Sequence, residues 1–145
     1  MNKDFWNLLQ PRLRNESEPV LQAIGKWGCY LLSIAEISGV VEERWWALIE
    51  LYNRCLYHGW IDKECTILTP EAGPAILKHL TGNQWTLEKI DSENPILPPL
   101  KPVTEVIYKY HAFSGVGYHY KTLLIDTEVE RARTLCGFRI YTRVT

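Results

Sequence analysis

Over the first 82 positions, apolar residues recur at the three- and four-residue spacing of amphipathic helices. The segment 41–58 shows this spacing best and ends at Gly59; its apolar residues are Trp45, Leu48, Ile49, Tyr52 and Leu56. Further along the chain, Thr69 and Pro70 have the chemistry of a helix start, and Gly82 that of a helix end. The pattern predicts a helix over each of these segments.

Another helix is predicted to begin at Cys29. Leu31 and Leu32 contribute to its apolar face, and Gly39 is suited to end the helix in a left-handed conformation. Residues 20–25 form a short apolar approach to this helix.

The second half of the chain has the composition of β-strands. Residues 83–90 are expected to form a short strand, and four prolines make 94–102 a stiff connector. Three further runs rich in β-branched and aromatic residues predict strands over 103–113, 118–126 and 137–144. Helices followed by antiparallel strands predict an α+β fold: a single domain over 1–145, helical to about residue 82 and β from about residue 83.

Composition narrows the classes of function. The 145 residues are 46% hydrophobic and 23% charged, with a net charge of −1 and scattered Lys and Arg. This pattern lacks the basic stripe of a nucleic-acid-binding protein. Because no apolar run is long enough to cross a bilayer and no signal peptide is evident, no membrane association and a cytoplasmic location are expected. Four dispersed cysteines are expected to be reduced.

Cys29 is the first candidate for chemistry. A thiol at a helix N-terminus meets unpaired N–H groups and the positive end of the helix dipole, and both favour the thiolate. The alternative is a small apolar residue in a buried helix, because free cysteines are commonly buried.

A nucleophilic cysteine needs a base, and the chain has four histidines. His58 and His79 lie near the ends of predicted surface helices, where solvated side chains are expected. His119 opens the strand 118–126, where an imidazole can lie beside the end of a packed helix and accept the thiol proton.

His111 is a second candidate on the same hairpin. If 113–117 is the loop, His111 lies directly opposite His119 and orients it or tunes its electrostatics. The alternative is a pair of stacked surface histidines, or a register that differs by one residue.

Three segments carry a family resemblance: Gly-Cys-Tyr at 28–30, Gly-Trp-Ile-Asp-Lys-Glu-Cys at 59–65 and Tyr-His-Tyr at 118–120. Together they resemble the DUF261-type proteins of bacteria and phages, which in turn resemble papain-like cysteine peptidases of the C39-like branch. The resemblance implies a papain-like fold and a peptide or protein substrate. It makes Cys29 the nucleophile, His119 the base and Gln22 a candidate oxyanion-stabilising amide.

The chain departs from the papain-like pattern in its third catalytic residue. The strand after His119, at 137–142, has no carboxylate or amide to orient the imidazole. Asp126 would lie about 23 Å along an extended strand from His119, which is too far for that role.

The last candidate for a functional site is a metal site. Cys55, His58 and Cys65 form a loose cluster, and Cys136 could complete it. Structural zinc sites show paired short spacings, and only one pair here is close, so neither a metal nor another cofactor is expected.

Two hypotheses follow for function. The first is a cysteine hydrolase acting on a peptide or related amide through a Cys29–His119 dyad. The second is a catalytically inactive relative of the same fold, a binding or structural module of phage or mobile-element origin, and the missing third residue favours it.

Overall fold

The computed structural model describes residues 10–39, 45–111, 117–122 and 135–145. Residues 10–14 are helical, and four helices follow: α1 (Pro19–Trp27), α2 (Cys29–Ser38), α3 (Trp45–Tyr57) and α4 (Ala72–Thr81). Gly39 and Gly82 end α2 and α4 with φ values of 66° and 77°, which glycine adopts without steric cost.

Helix α1 differs from the expectation for its segment. Residues 20–25 belong to a regular helix in which Pro19 occupies the first turn. The Glu18 carboxylate accepts a hydrogen bond of 2.8 Å from the backbone N–H of Leu21 and caps the helix. Proline and a side-chain acceptor at this position are ordinary features of a helix start.

Four strands form one antiparallel sheet: β1 (Trp85–Asp91), β2 (Thr104–His111), β3 (Tyr118–Lys121) and β4 (Leu135–Arg143). Their order across the sheet is β1-β4-β2-β3. The predicted α+β class, with helices preceding an antiparallel sheet, is therefore confirmed.

Helix α2 lies at the centre of the molecule. Five consecutive residues, Leu31 to Ala35, are buried, so α2 is covered on every side and not along one stripe only. It packs against α4 and against strands β2 and β3. This packing brings the first residue of α2, Cys29, to the sheet.

The two faces of the sheet have different surroundings. Ile107 and Tyr141 are fully buried in the core that includes the helices. Val106, Phe138 and Ile140 form a second apolar cluster, against which Leu97 of the proline-rich connector packs. Successive strand residues point to opposite faces, so a residue's position along its strand decides which cluster it joins. None of the described helices is both long and apolar enough to span a bilayer.

Candidate functional site

Gly28 fixes the position of Cys29 by joining α1 to α2 without an intervening loop. Its backbone N–H donates a hydrogen bond of 2.7 Å to the carbonyl oxygen of Ile24. A Cβ atom at position 28 would lie 2.6 Å from that oxygen, which is too close for a side chain. Glycine is therefore required here, and Cys29 becomes the first residue of the central helix.

Cys29 opens onto a cavity of about 420 Å³ between the start of α2, the segment 65–73 and the sheet. This volume falls within the range of small-molecule sites. The described residues that line it are Trp27, Cys29, Tyr30, Cys65, Thr66, Ile67, Leu68, Thr69, Pro70, Gly73, Leu87, Lys89, Tyr118, Tyr120, Arg139 and Tyr141. The lining combines apolar surface with phenols, hydroxyls and two cations.

The thiol of Cys29 is not activated at neutral pH. Burial raises the pKa of Cys29 above its ordinary value of 9.0. Backbone hydrogen bonds of Tyr120, Tyr30 and Cys29 itself, together with the charge of Lys121, lower the pKa but offset only part of this rise. The sulfur therefore faces groups that favour a thiolate, yet it stays protonated near pH 7.

Three tyrosines form the polar floor of the cavity. The hydroxyls of Tyr30 and Tyr141 lie 2.5 Å apart and join α2 to β4. The ring of Tyr120 meets that of Tyr30 edge to face, with centroids 4.6 Å apart. Burial raises the pKa of Tyr30 to about 12 and also raises the pKa values of Tyr120 and Tyr141. All three phenols are neutral hydrogen-bonding groups at physiological pH.

An ion-pair network lies on the face of the sheet that lines the cavity. Nη1 of Arg139 is 2.9 Å, and Nζ of Lys109 is 3.1 Å, from Oδ1 of Asp91. Burial raises the pKa of Asp91, but the hydrogen bonds from Arg139 and Lys109 outweigh this effect and hold it below its usual value. Gly137 pairs with both Asp91 and Lys109 and leaves room between them.

His119 does not line this cavity. Tyr118 and Tyr120 line it, and alternation along β3 directs His119, which lies between them, to the opposite face. The strand register pairs His119 with Tyr110. The described lining of the Cys29 cavity therefore contains the two neighbours of His119 along β3 and not His119 itself.

The predicted pairing of His111 with His119 is wrong. His111 pairs with Tyr118, and their ring centroids are 5.3 Å apart. The connection between β2 and β3 spans residues 112–117, one residue more than expected, and a one-residue shift changes every cross-strand neighbour. His111 consequently contacts a cavity residue, Tyr118, and not the other histidine.

Gln22 is half-buried in α1, and its side chain is not among the described residues that line the cavity. Trp27, and not Gln22, is therefore the residue that α1 contributes to the described cavity lining. Asp126, which the sequence excludes as an orienting group, lies outside the described residues.

Two of the cysteines considered for a metal site, Cys55 and Cys65, belong to the same buried core. Cys55 and Cys65 are buried, and burial raises the pKa of each thiol to about 12. The His58 ring stacks on Trp60 with centroids 4.3 Å apart. Within the described ranges, no group of three or more His, Cys, Asp or Glu side chains is arranged to hold a metal ion.

The sequence interpretation missed the tyrosines and Arg139 as site residues. A signal for them exists, because 118 and 120 on β3, and 139 and 141 on β4, are alternate positions that share a face. Comparison with known proteins adds no assignment: no family model, no curated protein and no solved structure matches this chain.

Proposed function

We propose that this chain is a binding module, a catalytically inactive relative of the papain-like cysteine peptidases, whose cavity at the start of α2 holds a small molecule or a peptide side chain. One observation carries the proposal: the cavity that contains Cys29 is lined from β3 by Tyr118 and Tyr120, and by none of the four histidines. A protonated thiol is a poor nucleophile, and the described lining of its cavity includes no histidine that could accept the proton.

The size and lining of the cavity support a binding role. Its walls are apolar at Ile67, Leu68 and Leu87 and polar at the tyrosines, a mixture typical of sites that bind organic ligands. A central helix that begins with Cys29 and packs on an antiparallel sheet agrees with the papain-like resemblance of the sequence.

Ligand protection of Cys29 tests the binding role. Small organic compounds are screened by thermal shift, and each stabilising compound is then added during alkylation of the native protein by iodoacetamide. Mass spectrometry reports the labelling of each cysteine. We expect bound compounds to slow alkylation of Cys29 and to leave Cys136, which lies on β4 outside the cavity, unchanged. Stabilising compounds that never protect Cys29 would refute the proposal.

The second candidate is a cysteine hydrolase that acts on peptide or amide bonds. It is favoured by the backbone hydrogen bonds and the Lys121 charge that act on the Cys29 sulfur, and by the position of His119 next to Tyr120 along β3. In this reaction His119 accepts the thiol proton, the Cys29 thiolate attacks the carbonyl carbon, and His119 returns the proton to the amine as the C–N bond breaks. Water then hydrolyses the thioester and restores the thiol. The reaction requires His119 to enter the cavity.

Turnover separates the two candidates. A hydrolase loses all release of amine from a peptide or amide library when Cys29 is changed to Ser, and it loses most of it in His119→Ala. A binding module releases no amine in any of the three proteins and keeps its ligands in Cys29→Ser.

A further inference from the structure

The charged residues in the described lining of the cavity are all cations. Two cations, Lys89 and Arg139, line it, and none of its described lining residues is an Asp or a Glu. Lys89 and Arg139 are direct cross-strand partners on β1 and β4, so their side chains share a face of the sheet. Positive charge is therefore concentrated at one wall.

Arg139 and Lys89 differ in whether a carboxylate of the protein already binds them. Arg139 is 7% exposed and is held by Asp91, at 2.9 Å from Nη1 and 3.4 Å from Nη2. Lys89 makes no ion pair with any residue that the structure describes. Since Lys109 also contacts Asp91, this carboxylate pairs with two cations, and neither of these ion pairs of the described residues includes Lys89.

No protein group in the described cavity lining offsets this charge. The thiol of Cys29 and the phenols of Tyr30, Tyr120 and Tyr141 are neutral at physiological pH, because burial raises their pKa values. These groups can donate hydrogen bonds to an anion without repelling it.

Aromatic surface adjoins the cations. The ring centroid of Tyr120 lies 6.0 Å from Cζ of Arg139 in the cavity wall, and Trp27, which also lines the cavity, is 49% exposed. Aromatic rings beside a concave site supply apolar contact area, while the charged groups supply orientation.

We infer that the cavity takes an aromatic carboxylate, with its carboxylate at Lys89 and Arg139 and its ring against Tyr120 and Trp27. This inference rests on the proposed binding function and specifies its ligand. A free aromatic acid and the carboxyl-terminal aromatic residue of a peptide present the same chemistry. Lys89, which has no ion-pair partner among the described residues, supplies an available charge, and Arg139, fixed by Asp91, supplies a preorganised donor.

Calorimetric titration with matched probes tests the inference. The probes are N-acetylphenylalanine, its neutral amide, phenylacetate, acetate and a short peptide ending in phenylalanine. We expect the two small aromatic acids to bind at least tenfold more tightly than the amide and acetate, and their affinity to fall with added salt. Tighter binding of the peptide than of N-acetylphenylalanine identifies a peptide terminus as the source, and weaker binding identifies a free acid.

Lys89→Met and Lys101→Met provide the matched pair of variants. Both remove an exposed lysine, but Lys101 lies in the connector outside the cavity. We expect Lys89→Met to weaken binding of N-acetylphenylalanine at least tenfold and Lys101→Met to leave it unchanged. Equal binding of acid and amide, or of Lys89→Met and the parent, overturns the inference while leaving a neutral-ligand module standing. Failure of every probe and every screened compound to bind removes both proposals.

Discussion

The backbone of Tyr120 hydrogen-bonds to the sulfur of Cys29, and the side chain of Tyr120 lines the same cavity. A papain-like hydrolase needs an imidazole at this place, and the imidazole of His119 is attached to the preceding residue. Because Tyr120 and not His119 lines the cavity, β3 contributes a neutral phenol there and not a base. This arrangement also leaves burial as the dominant influence on the thiol, which explains why the pKa of Cys29 is raised.

Gly73 is predicted to be required for the shape of the cavity. A Cβ atom at this position of α4 would collide with the hydroxyl of Tyr141, which bonds to Tyr30. Glycine to alanine normally stabilises a helix by up to about 1 kcal/mol. We expect Gly73→Ala instead to lower the free energy of unfolding by about 1–3 kcal/mol, because the phenol must move. Urea unfolding measures this change.

A double-mutant cycle isolates the cause. Tyr141→Phe removes the hydroxyl, so Gly73→Ala should cost at least about 1 kcal/mol less in that background than in the parent. An equal cost in both backgrounds would show that the contact with the hydroxyl is not responsible.

Gly137 is predicted to be required for the ion-pair network. A Cβ atom there would lie 2.6 Å from the carbonyl oxygen of Ile90 and 2.8 Å from Oδ1 of Asp91. We expect Gly137→Ala to lower the free energy of unfolding by about 1–3 kcal/mol through displacement of the strand and the carboxylate. NMR of the Arg139 side chain should show a changed environment. An unchanged Arg139 signal together with parental stability would contradict this account.

Asp91 is predicted to contribute to the decrease in the free energy of unfolding at acidic pH. Its pKa is lowered in the folded protein, so its contribution is complete above the unfolded value of about 4 and is lost as pH falls through the lower folded value. We expect the unfolding free energy of Asp91→Asn to depend less steeply on pH between about 4 and 2 than that of the parent. Denaturant titrations across this range measure the slope.

The matched control for Asp91 is Glu93→Gln, which removes an exposed carboxyl that forms no ion pair in the described parts of the chain. The pH dependence of its unfolding free energy below pH 4 should equal that of the parent.

At pH 7, Asp91→Asn should also be less stable than the parent, by about 1–3 kcal/mol, because buried Arg139 loses its carboxylate partner. Parental stability and slope in Asp91→Asn would refute the role of this ion pair.

Local chemistry made much of the fold predictable. Gly39 and Gly82 end their helices as expected because a left-handed residue at a helix end is a property of the glycine itself. The α+β class followed from the change from helical to strand spacing near residue 82. Pro19 carries an equally local signal for the start of α1, which the prediction of a short apolar segment over 20–25 does not use.

Strand register was not predictable from the residues alone. The pairing of β2 with β3 depends on how many residues the connection uses, and β2 also has an irregularity between Lys109 and Tyr110. Both are set by tertiary packing and not by the composition of the strands. The prediction that Cys29 begins a helix is confirmed. On β3, however, the sequence indicates His119 as the neighbour of Cys29, whereas Tyr120, one residue further along the strand, lines the cavity.

The pH dependence of Cys29 alkylation tests the central claim most directly. Iodoacetamide labelling is followed by mass spectrometry from pH 5 to pH 11 in the parent and in His119→Ala. We predict that the Cys29 rate stays low through pH 8, rises only above pH 9 and is the same in both proteins, because burial keeps the thiol protonated and His119 is not among the residues that line the cavity. A rate that reaches its plateau below pH 8 in the parent and falls at least tenfold in His119→Ala would contradict the account and establish a Cys29–His119 dyad.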